Sequence, residues 1–461
     1  MFNFNIDKNK YKHIHFIGIG GISMSGLAEI MLKEGFIVSG SDSKKSKIIE
    51  KLKTDGAKIF NTHSPSNIEG ADLIVFTDAI SLDNIELDAA IKSKVDIIDR
   101  ASFLGALMKN YESSIAVSGT HGKTSTTSMI SEIIKNIDLN PTILLGGQLD
   151  GINGNVKIGD KKLFLTEACE YKANVLKYYP TTAIILNIDE DHLDYFDNIE
   201  HIINTFKKYA ENLSEKDKLI LNIDDENTNS LNSLKNCNII TFGINNQANY
   251  RAKNILYNNG YPSYDLYYND EFVDNINLAV MGTHNIYNSL AAITATVENG
   301  ISFEEAKKGI EIYTGVHRRL EYKGVYNGAI IKDDYAHHPT EIKATLNAIR
   351  KGVQGKLYCI FQPHTFTRTK LLLDSFSKSF NDADITIITD IYAAREKDYG
   401  DIHSRTLYEA INTNGNKSIY IDNFEDIVNY LKENIKEGDI VVTMGAGDVY
   451  RIGDMLLESS K

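Results

Sequence analysis

Cysteine is scarce in this sequence of 461 residues. The three cysteines, Cys169, Cys237 and Cys359, lie far apart and form no C-x-x-C pair. An odd number of isolated cysteines argues against a disulfide framework and against a structural zinc site. Unpaired thiols are typical of a reducing compartment, so we expect a cytoplasmic protein.

Long hydrophobic runs are absent and basic residues are in deficit. No apolar stretch reaches the ~18 residues that span a bilayer, and the first residues, MFNFNIDKNKYKHIHF, contain no signal-peptide hydrophobic region. Lys and Arg number 49 against 62 Asp and Glu, a formal net charge of −13. We therefore expect no nucleic-acid partner and no membrane association. We also expect a monomer or weak homodimer.

Short apolar strands alternate with helical patterns along most of the chain, which predicts an α/β protein with parallel sheets. The length suggests three domains of ~100–200 residues. The pattern restarts near Glu112 and Tyr326, giving residues 1–111, 112–325 and 326–461. The polar stretch from Asn245 to Asn275 predicts antiparallel strands and turns. The predicted strands include Phe36–Ser39, Asp72–Thr77, Val95–Ile98, Ser114–Ser118, Leu163–Thr166, Thr182–Ile188, Lys218–Asn222, Ala329–Asp333, Lys356–Phe361, Ile385–Thr389 and Ile440–Met444.

The strongest local signal is SGTHGKTS, residues 118–125, between a predicted strand and a helix beginning near Thr124. Glycines let backbone N–H groups approach phosphate oxygens, and a helix N-terminus adds partial positive charge. Lys123 would face solvent and reach the β- and γ-phosphates of a nucleotide, and the Thr124 hydroxyl would ligate Mg²⁺. Val117 stands where the common motif has a further glycine. The alternative is a tight turn with a surface lysine.

A second glycine-rich turn, residues 18–23, comes at the end of a further predicted strand, HIHFIGIG. Gly18, Gly20 and the downstream Asp42 match part of a dinucleotide fingerprint, but Ser23 replaces its third glycine. The turn fits a nucleoside diphosphate with ribose nearly as well as NAD, and a plain strand–helix turn is the alternative.

Two further predicted strand ends carry acids and a histidine, in TEA at residues 166–168 and IDEDH at residues 188–192. Such side chains at the carboxyl edge of a parallel sheet face the same crevice as the phosphate loop. Glu167 and His192 could hold a second divalent ion. For either residue alone, a solvated loop charge is the alternative.

Polar clusters also follow the later strands. His284 and Asn285 open a predicted helix and could contact a base edge, although a plain helix cap is the alternative. Arg319 lies in HRRLE, and arginine suits phosphate binding. The segments DDYAHHP at 333–339 and QPHTFTR at 362–368 both follow predicted strands, which suggests one shared site.

Together these segments resemble the Mur ligase family, and the resemblance covers nearly the whole chain. HFIGIGGISMSGLAE, GTHGKTS, EACEY, DEDHLDYF, GTHNIYNSLAA, HRRLE, DDYAHHPTEI, QPHTFTRT and GAGD occur in the family's order. The first segment and the two histidine-bearing C-terminal segments favour the alanine-adding branch. The resemblance implies an N-terminal Rossmann-like domain for a UDP-sugar, a central P-loop ATPase with a parallel sheet plus a small antiparallel sheet, and a C-terminal Rossmann-like domain for an amino acid.

The implied activity is ATP-dependent ligation of L-alanine to UDP-N-acetylmuramate in peptidoglycan precursor synthesis, with Mg²⁺ as cofactor. The resemblance places adenine near His284 and Asn285, and the ribose and phosphates of ATP near Arg319 and Asp334. The remaining implied site residues are Gly119, Thr120, His121, Gly122, Lys123, Thr124 and Ser125 for ATP, Gly18, Gly20, Gly21, Ser23 and Asp42 for the UDP-sugar, Tyr335, His337 and Arg368 for L-alanine, Lys123, Glu167, His192 and His337 for catalysis, and Thr124, Glu167 and His192 for metal.

Chemistry assigns roles within the implied amino-acid site. The guanidinium of Arg368 can grip both oxygens of the alanine carboxylate. His337 would accept a proton from the alanine amine in the working pH range.

Three other functions compete with this interpretation. A recycling ligase that joins UDP-N-acetylmuramate to a preformed peptide would share almost every segment. An NAD-dependent oxidoreductase would leave the GKT loop unexplained, and a nucleotide-binding switch would have no use for the muramate- and alanine-side segments.

Overall fold

A computed structural model describes residues 6, 9–81, 83–135, 137, 139–149, 154–394 and 396–459. Their sheets are flanked by helices, which confirms the predicted α/β class. The chain forms two compact units. The first contains the chain up to Ile188 with Ile202–Phe242 and Ala291–Ala306, and the second contains Asp189–His201, Gly243–Leu290 and Lys307–Lys461.

The N-terminal sheet has five parallel strands. Its elements are β1 (His13–Ile17), α1 (Ile22–Lys33), β2 (Ile37–Ser41), α2 (Lys47–Thr54), β3 (Lys58–Phe60), β4 (Leu73–Phe76), α3 (Ile85–Lys92), β5 (Asp96–Asp99) and α4 (Arg100–Met108). The strand order is β3-β2-β1-β4-β5, and Ile14 pairs with Val38 on one side and Leu73 on the other. The order reverses beside β1, so the glycine turn after β1 lies where such sheets bind ligands.

A second sheet carries the phosphate-loop segment. Its elements are β6 (Ser113–Ser118), α5 (Lys123–Ile134), β7 (Thr142–Leu149), β8 (Gly154–Lys157), β9 (Leu163–Glu167), β10 (Thr182–Ile185), α6 (Ile199–Glu211), β11 (Lys218–Asn222), α7 (Glu226–Asn229) and β12 (Asn238–Gly243). Strands β7, β9, β6, β10, β11 and β12 are parallel neighbours in that order, and β8 pairs antiparallel with β7. Strand β10 ends at Ile185, three residues before the predicted end, which leaves Asn187 in a loop.

The predicted antiparallel region is confirmed. Strands β13 (Tyr250–Asn258), β14 (Tyr261–Tyr268) and β15 (Glu271–Asn277) form a meander, with Tyr264 paired to Ile276. Two helices follow it, α8 (Thr283–Glu298) and α9 (Phe303–Glu311).

The C-terminal sheet separates two apolar cores. Its elements are β16 (Glu321–Tyr326), β17 (Ala329–Asp334), α10 (Pro339–Arg350), β18 (Leu357–Phe361), α11 (Phe366–Leu371), α12 (Leu373–Ser377), β19 (Ile385–Ile388), α13 (Ser404–Thr413), β20 (Ser418–Tyr420), α14 (Phe424–Asn434), β21 (Ile440–Met444) and α15 (Tyr450–Glu458). The order is β16-β17-β21-β18-β19-β20, with only β16 antiparallel. Leu357, Cys359 and Phe361 pack in one core and Tyr358 and Ile360 in the other. Alternate side chains of a strand point to opposite faces, so a strand covered on both faces is apolar throughout.

No helix of the described residues is both long enough and apolar enough to cross a membrane.

Candidate active site

The predicted phosphate loop has the expected strand–loop–helix geometry. It runs from Ser118 at the end of β6 to Lys123 at the start of α5. Gly119 and Gly122 have φ of +128° and +85°, a region that side chains rarely adopt. A Cβ on Gly119 would also come within 3.1 Å of the Asn187 backbone. Ser125 lies in the first turn of α5.

Asn187 holds this loop from the end of the neighbouring strand. Its side-chain oxygen accepts the His121 N–H at 2.8 Å, and its side-chain nitrogen donates to the His121 carbonyl at 3.1 Å. Its backbone carbonyl accepts the Thr120 N–H at 3.1 Å. Asn187 is therefore a positioning residue for the loop, although it was assigned to a strand interior in the sequence-based prediction.

Lys123 does not face solvent as predicted. Its ammonium donates to the carbonyls of Gly119 and Thr120 at 2.5 and 3.0 Å and lies 3.0 Å from both carboxylate oxygens of Glu170. The Glu170 side chain is 3% exposed and that of Lys123 is 17% exposed. Burial acts to lower the pKa of Lys123, but the charge and hydrogen bond of Glu170, together with smaller effects of neighbouring groups, outweigh it and the pKa is raised. The prediction was wrong because it considered the loop without Glu170.

Two of the predicted metal ligands lie together beside this loop. The Thr124 hydroxyl is 3.2 Å from Oε2 of Glu167, and Oε1 of Glu167 accepts the Gly146 N–H at 2.9 Å. A hydroxyl and a carboxylate are hard oxygen ligands of the kind that Mg²⁺ prefers. The donor set therefore fits Mg²⁺. His192 belongs to the other compact unit.

The first glycine turn is closed by Asp42. Oδ2 of Asp42 accepts the Gly20 N–H at 3.0 Å, and a Cβ on Gly20 would lie 2.7 Å from the same oxygen. The Ser41 carbonyl accepts the N–H of Gly18 at 2.8 Å. Gly21 is the N-cap residue of α1, and no side chain forms a capping hydrogen bond with the first N–H groups of this helix. A side chain at Gly20 would therefore displace the Asp42 carboxylate.

In the second unit, Arg368 is paired with Asp191. Its Nη2 and Nε atoms lie 2.9 and 3.2 Å from Oδ1 of Asp191, and Nη1 donates to Nδ1 of His364 at 3.1 Å. Asp191 is buried, which acts to raise its pKa, but the combined effect of the neighbouring basic side chains, among them Arg368, outweighs this and lowers it. The Nε and Nη2 donors of Arg368 are thus already engaged, so a substrate carboxylate would meet the remaining guanidinium donors.

His337 lies in the same cluster as Arg368. Its Nδ1 donates to the Tyr335 carbonyl at 3.0 Å, which leaves Nε2 as the proton acceptor. The rings of His337 and His364 are 5.6 Å apart. Burial, with a smaller effect of Arg368, lowers the pKa of His337 to about 4. The lowered pKa favours the neutral ring at pH 7, which is the form that can accept a proton, and the role of His337 stays a prediction.

Arg319 and Asp334 are brought together with Tyr335. Asp334 is buried, and its two oxygens accept the N–H groups of Leu320 and Ala336, each at 2.7 Å. Burial raises the pKa of Asp334 to about 6, against the opposing charge of Arg319. The Arg319 guanidinium lies 5.2 Å from the Tyr335 ring centre. Asp334 thus fixes the two turns that carry Arg319 and Tyr335.

His284 and Asn285 also lie side by side, at the start of α8. The Asn285 amide donates to the Met281 carbonyl at 2.8 Å and to Nε2 of His284 at 3.2 Å. Nδ1 of His284 therefore carries the proton, and it is buried without a partner among the described residues. Burial lowers the pKa of His284 to about 4. A buried donor without an acceptor is suited to a ligand with acceptor nitrogens, such as a purine.

Strained backbone recurs at these positions. His192, Arg318, Leu320 and Thr365 all have positive φ, between +50° and +67°. Such conformations cost about 1–3 kcal/mol each and cluster at functional sites. Thr365 also caps α11, the helix that carries Arg368.

Sequence reasoning missed Asn187, Glu170, Asp191 and His364 as partners of the predicted residues. The segments EACEY and DEDH contain Glu170 and Asp191, and the segment QPHTFTR contains His364, so their positions beside predicted site residues were visible. Which side chain each would contact was not.

The chain belongs to the Mur ligase family. The family's N-terminal region, described as "Mur ligase family, catalytic domain", matches residues 13–112, the "Mur ligase middle domain" matches residues 117–296, and the "Mur ligase, glutamate ligase domain" matches residues 318–447.

The similar proteins include UDP-N-acetylmuramate–L-alanine ligases. Those of Acetivibrio thermocellus and Clostridium acetobutylicum are 53% and 52% identical to this chain, over 99% of it and 98% and 99% of their own lengths. The crystal structure of UDP-N-acetylmuramate-alanine ligase from Thermotoga maritima matches with a TM-score of 0.80 and 26% identity, covering 97% of this chain and all of that one. The fold is therefore the three-domain α/β fold of this family.

A murein peptide ligase is also similar in structure. The enzyme from Psychrobacter arcticus matches with a TM-score of 0.72 and 25% identity, over 97% of this chain and 98% of that one.

Proposed function

We propose that this chain ligates L-alanine to the carboxylate of UDP-N-acetylmuramate in peptidoglycan precursor synthesis, with conversion of ATP to ADP and phosphate. Relatives of that name, about half identical over nearly the whole chain, support the choice of substrates. The observation that carries the ATP-dependent chemistry is the corner formed by Lys123, Thr124 and Glu167 at the start of α5.

The chemistry proceeds in two stages. A carboxylate is a poor electrophile, so phosphoryl transfer from ATP first converts it to an acyl phosphate. The amine of L-alanine then attacks the acyl carbon, and phosphate leaves. Phosphoryl transfer needs alignment and charge neutralisation more than covalent catalysis. The Lys123 ammonium supplies that charge at the transferring phosphoryl group, while the loop N–H groups bind the phosphates.

Mg²⁺ is proposed as the cofactor, held by Thr124 and Glu167, with His192 as a further ligand. The ion would neutralise phosphate charge and orient the reacting oxygens. Titration of Mg²⁺ against nucleotide binding should show a weaker metal dependence in Glu167→Gln, because the variant loses a charged ligand without a change of shape.

The amino-acid site is assigned to Tyr335, His337 and Arg368. The Arg368 guanidinium would bind the alanine carboxylate, and Nε2 of His337 would accept a proton from the amine. His284 and Asn285 would contact adenine, and Arg319 and Asp334 the ribose and phosphates.

These assignments give each of the three proposed domains one substrate to bind. We assign the UDP-sugar to residues 1–111, through Gly18, Gly20, Gly21, Ser23 and Asp42, ATP to residues 112–325 and the amino acid to residues 326–461. We further propose a cytoplasmic enzyme, because Cys169, Cys237 and Cys359 are all free thiols. We also propose that it is a monomer or a weak dimer.

Release of ADP in a coupled assay tests the proposal. The expected result is turnover only when UDP-N-acetylmuramate and L-alanine are both present. The peptide L-alanyl-γ-D-glutamyl-diaminopimelate is the competing acceptor. Faster turnover with that peptide than with L-alanine would identify a recycling ligase and overturn the proposal.

A further inference from the structure

Arg100 lies against the first glycine turn, although no sequence segment drew attention to it. It is the first residue of α4, and its Nη1 atom is 3.4 Å from the Ser23 hydroxyl. Its side chain is only partly exposed. Within the described part of the chain, no carboxylate forms an ion pair with this guanidinium. The neighbouring Asp99 instead caps α4 and pairs with Lys177 at 2.9 Å.

The position of this cation is electrostatically unusual. The N-terminus of a helix carries partial positive charge, so a cation there is unfavourable and an anion favourable. Burial acts to lower the pKa of Arg100, but Tyr178, Cys169 and Asp78 outweigh it and the pKa is raised. A charged guanidinium is therefore retained at a place where the described residues give it no direct anionic partner.

Helix α4 is fixed firmly against the segment Tyr171–Lys177. A Cβ on Gly105 would overlap the Lys177 carbonyl, so only glycine allows this close approach. Asp78 accepts a hydrogen bond from Asn174 at 2.9 Å, and Asp99 binds Lys177 as described. Because the segment directly follows Glu170, these contacts hold Arg100 in a set position relative to the phosphate loop.

Arg100 contacts the first nucleotide-binding turn directly, and its helix packs on the segment next to the second. On one side is Ser23, at the start of α1. On the other side, the helix that begins at Arg100 packs through Gly105 against Lys177, in the segment that follows Glu170. Glu170 contacts Lys123, and Glu167 contacts Thr124.

We propose that Arg100 binds the carboxylate of the muramoyl group and presents it to the γ-phosphate of ATP. This inference rests on the proposed function. A substrate whose diphosphate binds the Gly18–Ser23 turn must extend toward Lys123 for its carboxylate to be phosphorylated, and Arg100 contacts that turn at Ser23. The planar fork of a guanidinium binds two carboxylate oxygens at once, which fixes one oxygen for attack.

A comparison of two ligands distinguishes binding of the carboxylate from binding of the rest of the substrate. UDP-N-acetylmuramate and UDP-N-acetylglucosamine share the uridine, diphosphate and amino sugar, and only the first carries the lactyl carboxylate. In Arg100→Gln, calorimetric titration should show ~10–100-fold weaker binding of UDP-N-acetylmuramate, the scale of a hydrogen bond to a charged group. Binding of UDP-N-acetylglucosamine should be unchanged. Lys92→Gln, which removes an exposed charge from the same sheet region, should change neither affinity.

An equal loss of affinity for both ligands would overturn the inference, since Arg100 would then serve the diphosphate or the fold. No loss for either would overturn it as well. If Arg100→Gln does not fold, as judged by its melting transition, Arg100→Lys takes its place and should show several-fold weaker binding of UDP-N-acetylmuramate alone. Wild-type turnover with UDP-N-acetylmuramate and L-alanine tests the proposed function separately, so the two can fail independently.

Discussion

The ammonium of Lys123 lies 3.0 Å from both carboxylate oxygens of Glu170 and is also bound by two loop carbonyls. An ammonium has three protons to donate, and here they face four acceptors. A nucleotide phosphate can reach Lys123 only by taking the place of one of these acceptors. Glu170 is therefore both the counter-ion of the phosphate-loop lysine and a competitor of its substrate.

Lys123→Ala should remove activity and also reduce stability. Loss of the positive charge at the transferring phosphoryl group should lower the rate of ADP release by ~100-fold or more. Because Glu170 is left buried without its counter-ion, the free energy of unfolding should fall by about 1–3 kcal/mol. Denaturant titration measures this. Lys53→Ala, which breaks an exposed ion pair with Glu50, should change stability by less than ~0.5 kcal/mol. Near-wild-type ADP release by Lys123→Ala would refute the phosphate-loop assignment.

Glu170→Gln should increase the stabilisation of the protein by bound nucleotide. The substitution keeps the shape of the side chain but removes the charge that the phosphates must displace. A non-hydrolysable ATP analogue should therefore raise the melting temperature of Glu170→Gln more than that of the wild type, because ligand binding stabilises in proportion to affinity. Glu50→Gln, at an exposed ion pair, should respond as the wild type does. An equal or smaller shift in Glu170→Gln would mean that Glu170 supports phosphate binding instead of competing with it.

Arg368→Lys should weaken the binding of one substrate selectively. Lysine keeps the charge but loses the fork that holds a carboxylate and Asp191 together. The apparent KM for L-alanine should rise by an amount equivalent to ~1.5–3 kcal/mol, and the KM for ATP far less. Arg350→Lys, at a surface ion pair with Asp384, is the matched control. Equal effects on all three substrates would show that Arg368 is structural.

His337 should make stability depend on pH in a defined window. The pKa of His337 is lowered from 6.5 to about 4 in the folded protein. The unfolded chain therefore binds more protons between these values, and stability falls as pH falls from about 6.5 to about 4. In His337→Gln the slope of the unfolding free energy against pH should be smaller across that range, by an amount that corresponds to nearly one bound proton. His364, whose pKa is lowered to about 3 by burial, contributes with the same sign. An unchanged slope would contradict the buried, neutral state of His337.

His337→Gln should also lower kcat. The shape of the pH–rate profile near pH 6.5 should be the same in the variant as in the wild type. A residue with a pKa of about 4 is already neutral at pH 6–8, so it creates no inflection there. An inflection near pH 6.5 that disappears in the variant would contradict this account.

The sequence predicted those parts of the molecule that depend on neighbours in the chain. The glycine spacing and the apolar periodicity identified the phosphate loop, and the structure has strand β6 and helix α5 on either side of it. The antiparallel region after Asn245 was predicted from its polar, tyrosine-rich composition. The short edge strands β3 and β20 were not predicted, because three residues carry too little pattern.

Contacts between distant residues could not be predicted in the same way. Lys123 and Glu170 are 47 residues apart, and Arg368 and Asp191 are 177 apart. Nothing in local periodicity pairs such residues, since the pairing is set by which strands lie side by side. The burial that lowers the pKa of His337 is likewise a property of the packed cluster and not of the segment that contains it.

The fate of an oxygen atom tests the central claim most directly. UDP-N-acetylmuramate labelled with ¹⁸O in its carboxylate should transfer one label to the released inorganic phosphate when L-alanine and ATP are present, because the carboxylate oxygen bridges to phosphorus in an acyl phosphate and stays on phosphate when the amine displaces it. Mass spectrometry of the phosphate and of the UDP-sugar product gives both halves of the result. Labelled phosphate together with the alanyl product is the predicted outcome. Unlabelled phosphate, with both labels left in the UDP-sugar, would contradict it.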